Sequence, residues 1–567
     1  MTMLNIFKSF LLVIQNNQKI LIRLIPFLIL SLIPFASSNN FIEPAIGPKW
    51  VFIYASAYIC LIILCSKESF FIPRLNEFQN LILLLLILTI FLNFFRENFF
   101  LYSYSTLNRI SFWIIFLYSI NVFLYFSHKD KLLNFISYIL YIPIFLIITI
   151  CFYFILIYFL DISYLNIPMI AEGTFGNKNM LAEFLGFSLV IFLSVLEDKN
   201  NILYHKKILK ITSSILFLYL YYLACRSIIL AISCSIIFLL FSKKIKIKTF
   251  LEIILYALFM WFLLQLPKIT FINNLPTASS WSQNKHYLSS YNNNIVTANI
   301  RISYLKSTLA MIKENLWGVG SDGFDYAFIP YKSLYLKIDP KEIEKSPHNE
   351  YLRFMAEDGI IIFILGIILL SSFLCQLLKN KKCKNKIFFM CFLIFLAIQA
   401  FFQFPLEDPC PFILIAIILA YFFSSFDKNF INFKVNSYIL MIISILYLTF
   451  AASLTISSYY LKTFSQNPKK MKLAYQLDPN NWLPNVFYIE SLYENKKYEE
   501  SLFQSMKELK QRPYNFVALY FKGHSEYALG LKSQACLSFS IYNKIFKENN
   551  KHYLNFKKMC HEKLINY

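Results

Sequence analysis

The sequence predicts an all-α membrane protein, a polytopic helical bundle followed by a soluble α-helical domain. Three observations predict it. Of the 567 residues, 57% are hydrophobic and only 15% are charged, whereas soluble domains carry roughly a quarter charged residues. The 61 Phe and 38 Tyr fall largely inside uninterrupted apolar runs. Those runs are long enough for spanning helices, at about 20 residues each, while the strands of a membrane barrel read as short alternating segments.

The runs number about thirteen by length and composition. Their cores lie near 20–37, 50–66, 79–95, 110–126, 133–160, 180–196, 208–224, 227–242, 249–266, 359–377, 387–404, 410–426 and 436–455. The fifth is long, with Pro143 as a point of tilt or break. The first has no cleavage-site pattern after it and reads as a retained span. The 11 Cys lie mostly in apolar segments, form no CxxC pair, and read as small buried thiols.

The short loops orient the bundle. Alternate loops collect Lys67 and Arg74, Lys129 and Lys131, Lys206 to Lys210, Lys243 to Lys248, Lys379 to Lys386, and Lys428 and Lys434. The other set is sparse in Lys and Arg, so the lysine-rich set faces the cytoplasm. The net charge of +22 is therefore mainly a topology signal that also touches anionic membrane lipid, and no nucleic-acid partner is implied. The long segment 267–358 then lies on the outer face. An odd number of spans puts the C-terminal domain there too. The division is a membrane domain over 1–460 and a second domain over 461–567.

After Tyr460 charged residues return and a period of 34 appears. Asp478-Pro479 recurs as Arg512-Pro513, Phe487 as Phe521 and Tyr493 as Tyr527. Gly523, Ala535 and Phe539 sit at spacings that resemble the tetratricopeptide repeat, and Ala474 resembles the tail of a preceding partial unit. Such a domain serves as a docking surface or as a structural cap.

Most spans are almost pure Leu, Ile, Phe and Tyr, so a path through the bundle is disfavoured. Polar residues concentrate at three outer places. Gly173-Thr174-Phe175-Gly176-Asn177-Lys178-Asn179 is a turn entering a span, either a simple cap or a wall offering hydrogen bonds to a sugar or phosphate. Arg226 stands between two apolar runs, where an arginine must reach the interface, pair, or bind an anion. The third place is the large loop. A helix begins at Arg301, followed by Trp317-Gly318-Val319-Gly320-Ser321-Asp322-Gly323, a compact turn for which a phosphate nest is one use. Pro347-His348-Asn349 then precedes an amphipathic helix through Glu357 and Gly359 into the next span. Imidazole at that position is a candidate for proton transfer.

In this order and on one side, these pieces resemble the bacterial O-antigen ligases, the related O-antigen polymerases and the protein O-oligosaccharyltransferases. The resemblance covers roughly residues 75–425 and includes Phe404-Pro405-Leu406. Several members of that family carry tetratricopeptide repeats after the last span. The resemblance implies a GT-C-like, metal-independent membrane glycosyltransferase with no cofactor. It would take a glycan from undecaprenyl diphosphate and pass it to an acceptor hydroxyl, on lipid A core or a similar glycan, at the outer face of the bacterial inner membrane. Carried over residue by residue, Arg226 and Arg301 would hold the diphosphate and His348 would activate the acceptor. Asn177, Lys178, Asn179, Trp317, Gly318, Gly320, Asn349 and Glu357 would complete the substrate site, with no metal ligand.

The residue types suit that chemistry. The leaving diphosphate gains charge, which fixed cations stabilise in a site shielded from water. Neutral imidazole accepts a proton near neutral pH. No paired carboxylates with hydrolase spacing are legible. A polymerase joining lipid-linked repeat units, a protein O-oligosaccharyltransferase, and a lipid-linked-sugar flippase or transporter are the competing readings. A protein partner of the repeats is a further expectation.

Overall fold

The computed structural model describes residues 31–38, 46–65, 69–73, 77–94, 104–125, 177–196, 203–223, 225–270, 290–320, 322–335, 346–379, 385–425, 430–434, 436–479 and 481–546, with Phe27, Phe41, Leu140, Tyr141, Ile144 and Phe175 as isolated positions. The helices of the membrane part are α1 (Gly47–Cys65), α2 (Glu77–Phe94), α3 (Tyr104–Tyr125), α4 (Lys178–Leu196), α5 (Leu203–Leu223), α6 (Arg226–Phe241) and α7 (Ile247–Thr270). The large loop carries α8 (Ser290–Glu314), α9 (Phe324–Ala327), α10 (Ile329–Tyr335) and α11 (Glu350–Glu357). The bundle resumes with α12 (Ile360–Lys379), α13 (Lys386–Phe402), α14 (Pro409–Ser424) and α15 (Ser437–Thr463).

Each of these bundle helices overlaps one of the apolar runs. The run at 133–160 lies almost wholly outside the described residues, and the run at 20–37 lies outside them up to residue 30 save Phe27. Among the described residues, four helices are long and apolar enough to cross a membrane: Gly47–Cys65, Tyr104–Leu124, Lys178–Leu196 and Tyr438–Thr463. Five shorter apolar helices accompany them. A lipid-exposed backbone must bond to itself, which is why such runs become helices. Caps set several starts. The Asp408 carboxylate accepts from the Cys410 N–H ahead of α14, with Pro409 opening the helix, and Asn436 caps α15 in the same way.

α4 is the buried centre of the bundle, with its residues from Leu181 to Leu196 all buried. Its Phe187 packs on Phe392 and Phe395 of α13, and the edge of the Phe395 ring is where a side chain on Gly186 would stand. Trp50, Phe112 and Phe412 join α1, α3 and α14 in edge-to-face contacts.

The chemistry-bearing residues segregate to one end of the bundle. There lie Lys49 at the start of α1, Arg109 in α3, Lys178 at the start of α4, Arg226 at the start of α6, and Gln399 at the end of α13. The opposite end holds the Lys210–Glu252 ion pair of α5 and α7 and the Asn385–Tyr421 hydrogen bond of α13 and α14. It also holds a departure from the all-α expectation. Strand β1 (Ser69–Pro73) pairs antiparallel with β2 (Phe430–Lys434), Ser69 opposite Lys434 and Pro73 opposite Phe430. The Asn121 amide of α3 bonds both backbone groups of Phe71. Neither strand has a neighbour close in sequence. Each reads as a short loop until folding brings the two together.

Beyond α15 come α16 (Pro468–Leu477), α17 (Trp482–Glu494), α18 (Tyr498–Gln511), α19 (Phe516–Ala528) and α20 (Lys532–Phe546). Consecutive helices pack on one another throughout. α19 starts 34 residues after α17, and α20 starts 34 residues after α18. Gly523 and Phe539 meet where α19 crosses α20; a side-chain carbon on Gly523 would stand 2.6 Å from the Phe539 ring. Cys536 on α20 is disulfide-bonded, contrary to the reading of the cysteines as thiols.

Candidate active site

The site is organised by α11. The Asn349 side chain accepts from the Leu352 N–H at 3.0 Å and starts this short helix. Just before it, His348 adopts φ +52°, a left-handed conformation unusual for a side-chain-bearing residue. Its ring lies between Tyr304 of α8, at 5.8 Å between centroids, and Phe404, at 5.9 Å. Arg301 is exposed one turn before Tyr304 on α8. Phe404 follows α13, whose Gln399 amide donates to the Ser227 carbonyl at 3.0 Å, beside Arg226. The Cys225 thiol donates to Asn179 Oδ1 at 3.1 Å. Asn177 caps α4 by accepting from the Asn179 N–H at 2.8 Å. Contacts through the end of α13 thus connect the predicted places at 177–179, 226 and 348. Lys178, Arg226 and Arg301 are exposed.

On the opposite side of α11 the fold builds a polar group that sequence reasoning missed. Arg353 is buried among three carboxylates: Glu350, Glu357 at 3.3 Å and Glu407 at 2.7 Å. Arg109 of α3 makes a two-pronged pair with Asp358, at 2.7 and 2.9 Å. Burial pushes the Glu357 carboxyl well above the usual range, with Arg353 opposing the shift. The spacing of Glu350, Arg353 and Glu357 on one helical face was a legible signal for part of this group. Arg353→Ala would strand buried carboxylates. Its expected cost is about 3–5 kcal/mol, read as a lowered unfolding temperature of the purified protein.

The glycine turn straps these parts together. The N–H of Val319 donates to the Ala356 carbonyl and that of Gly320 to the Glu357 carbonyl, while the Ile360 N–H donates back to Leu316. Among the described residues the amides of Gly318, Val319, Gly320 and Gly323 all donate to backbone carbonyls, so these four serve as a strap. Gly318 has φ +84°, and a side-chain carbon there would stand 2.2 Å from the Glu357 carbonyl oxygen. Gly318→Ala is therefore expected to cost at least about 1–3 kcal/mol from backbone strain alone, checked by thermal unfolding.

Beneath the strap is a cavity of about 790 Å³. Its polar end is lined by Asn108, Arg109, Glu350, Arg353, Glu357, Asp358 and Glu407, together with Trp317, Gly318 and Gly320. Its apolar end is lined by Leu86, Trp113, Ile362, Leu370, Leu374 and Leu393. Two guanidinium groups there face four carboxyl groups, so the polar end is not an anion site. A second apolar groove shares Trp113, Gly366, Leu370, Leu374 and Leu393 and continues to Pro73 and Ile431 at the other end of the bundle. Together they form a path along the bundle whose chemistry changes from polar to apolar.

Residues 211–367 match the model of the O-antigen ligase family. Over that segment the chain is similar to the O-antigen ligases. The O-antigen ligase segment runs from α5 into α12 and contains Arg226, Arg301, the strap, His348 and Glu357. Lys178, Arg109 and Glu407 are supplied from outside it. No curated protein and no solved structure matches the chain. That similarity supports lipid-linked glycan transfer in general and suggests a glycosyltransferase-type enzyme. Among the described residues no group of three or more His, Cys, Asp or Glu is arranged to hold a metal ion.

Proposed function

We propose that this O-antigen ligase relative transfers a glycan from undecaprenyl diphosphate to an acceptor hydroxyl, on lipid A core or a similar glycan, at the outer face of the inner membrane. The observation that carries this reading is the cavity, polar under the strap and apolar along α2, α3, α12 and α13. It fits an amphiphile whose headgroup stays at one membrane face, and both reactants of such a transfer are lipid-anchored.

The acceptor oxygen attacks the anomeric carbon and its proton passes to the His348 imidazole. The carbon–oxygen bond to the diphosphate breaks, and undecaprenyl diphosphate leaves with the bonding pair. Arg226, Arg301 and Lys178 stabilise the growing charge on the phosphate oxygens. The acidic polar end of the cavity repels a diphosphate and suits the hydroxyls of a neutral sugar. We therefore assign the exposed cations to the donor and the cavity to the acceptor.

Sidedness has two supports. Lys-rich segments lie opposite the His348 end and by the charge rule face the cytoplasm. The disulfide of Cys536 belongs to an oxidising compartment such as the periplasm. We read the repeating helices after α15 as tetratricopeptide-like units on that same outer side.

The test uses the purified protein in lipid with a labelled undecaprenyl-diphosphate glycan, with and without a lipid A core, and with a chelator present. Transfer only with the core establishes a ligase that needs no metal. A lipid-linked ladder without the core establishes a polymerase. No consumption of donor under either condition rejects the proposal.

A further inference from the structure

The short segment 316–331 is gripped on two faces. On the membrane side the strap holds it to α11 and α12, and the Ser105 N–H at the top of α3 donates to Asp322 Oδ2 at 3.0 Å. On the other side it meets the repeating helices. The Trp482 indole N–H, at the start of α17, donates to Asp325 Oδ2 at 2.6 Å. The Arg512 guanidinium lies 5.4 Å from the centre of the Tyr326 ring. Arg512 is itself buried and paired with Glu508, which also accepts from Asn485 and Asn515. Ile329 packs with Phe516, Leu519 and Tyr542. Burial pushes the Asp325 carboxyl up to about 6, as expected of a carboxylate withdrawn from water into a contact.

The contact is connected to the reactive end of the molecule by touching rings. Asp325 adjoins Phe324, which stacks on Phe328 at 4.8 Å; Phe328 stacks on Tyr304 at 5.9 Å; and Tyr304 carries His348 at 5.8 Å. Met311, Ile312, Val319, Leu352 and Ala356 close the same small core. This core is distinct from the main core of the bundle, which holds one side of it through the strap, Asp322 and Phe404. Its other side is braced by the surface that α17 and α19 present.

We propose that the C-terminal helical domain is a positioning element of the transferase, with Trp482 and Asp325 fixing the Phe324–Phe328–Tyr304 column on which His348 rests. Trp482 and Asp325 touch no substrate and act through His348. The inference rests on the role assigned to His348 above, but it makes a structural claim that can be read without activity. A side chain held on a packed column keeps its aim; released, it loses rate through misplacement while binding surfaces stay in place.

The experiment compares wild type, Trp482→Phe, Asp325→Ala and Asp325→Asn, all full-length in lipid nanodiscs. Trp482→Phe keeps an aromatic ring and loses the N–H together with part of the indole's bulk. Asp325→Asn keeps an acceptor oxygen and serves as the conservative rescue. Two readouts are taken: transfer from a labelled undecaprenyl-diphosphate oligosaccharide, and amide hydrogen exchange across 301–331 and 346–358. The expected result is a kcat lowered about ten-fold in Trp482→Phe and Asp325→Ala with donor KM within about two-fold. Asp325→Asn is expected to transfer near the wild-type rate. Exchange is expected to rise in the segment carrying Tyr304 and His348 in the two impaired variants alone. Unchanged exchange at Tyr304 and His348 in Trp482→Phe overturns the inference, whether or not wild type is active. If wild type transfers nothing while exchange rises as expected, the brace stands and the assigned reaction falls.

Discussion

His348→Ala is expected to lower transfer by at least about 100-fold, the usual contribution of a positioned general acid or base, with unchanged protein level in the membrane. The imidazole is not part of the buried ion group, and its ring lies between Tyr304 and Phe404. Its removal therefore leaves the strap and the α11 cap intact, since these depend on backbone amides and on Asn349. Donor binding is expected to persist because the cations proposed to hold it, Lys178, Arg226 and Arg301, lie on α4, α6 and α8. The measurement is single-turnover transfer from a labelled lipid-linked glycan alongside donor binding to the same preparation. A variant that binds donor and transfers at the wild-type rate removes His348 from the mechanism. The residue's left-handed backbone adds a second expectation. His348→Gly relieves the strain yet lacks the base, so it should fold at least as well as wild type and be as inactive as the alanine variant.

Arg301→Lys and Arg226→Lys are each expected to lower transfer about 100-fold or more, the scale of losing one donor to a developing oxyanion. Lysine keeps the charge but loses the planar fork that grips two phosphate oxygens. Both arginines are exposed, Arg226 at the start of α6 and Arg301 in the middle of α8, so neither exchange should disturb packing, and the unfolding temperature should stay within about 1–2 °C. By contrast, Arg109→Lys breaks the two-pronged pair with Asp358 and should show first as a loss of stability. Kinetics and melting curves from the four proteins separate the two kinds of arginine. If Arg226→Lys and Arg301→Lys transfer normally while Arg109→Lys binds no donor, the donor belongs in the cavity and the assignment of the two compartments is reversed.

Much of the candidate site was legible because its parts break a strong local rule. A cation such as Arg226 in an apolar run, or glycines and a histidine in an otherwise aromatic and aliphatic chain, stand out without knowledge of the fold. The group around Arg353 did not stand out. Glu357 was read as part of the substrate site, but Glu350 and Arg353 were passed over, and Glu407 and the covering bundle, which bury the group, lie far from them in sequence. The glycine turn was read for its conformational freedom, and Gly318 and Gly320 do take positive φ, but the Val319 and Gly320 amides are taken by α11. The partners of a backbone group across a gap in sequence cannot be read from the turn itself.

By itself the sequence determined that this chain forms apolar helices in a set order, that its lysines mark one side, and that a period of 34 follows the last of them. Those properties are local: they depend on the cost of exposing a peptide group to hydrocarbon or a charge to the bilayer, and each residue carries that cost wherever the chain goes. Only the tertiary structure decided which charges neutralise one another, as Arg109 and Asp358 do across 249 residues. It alone decided that β1 finds β2, and that Trp482 closes on Asp325. Such pairings depend on two surfaces meeting in one geometry, and the ordering entropy they must overcome is offset only when the whole bundle has packed.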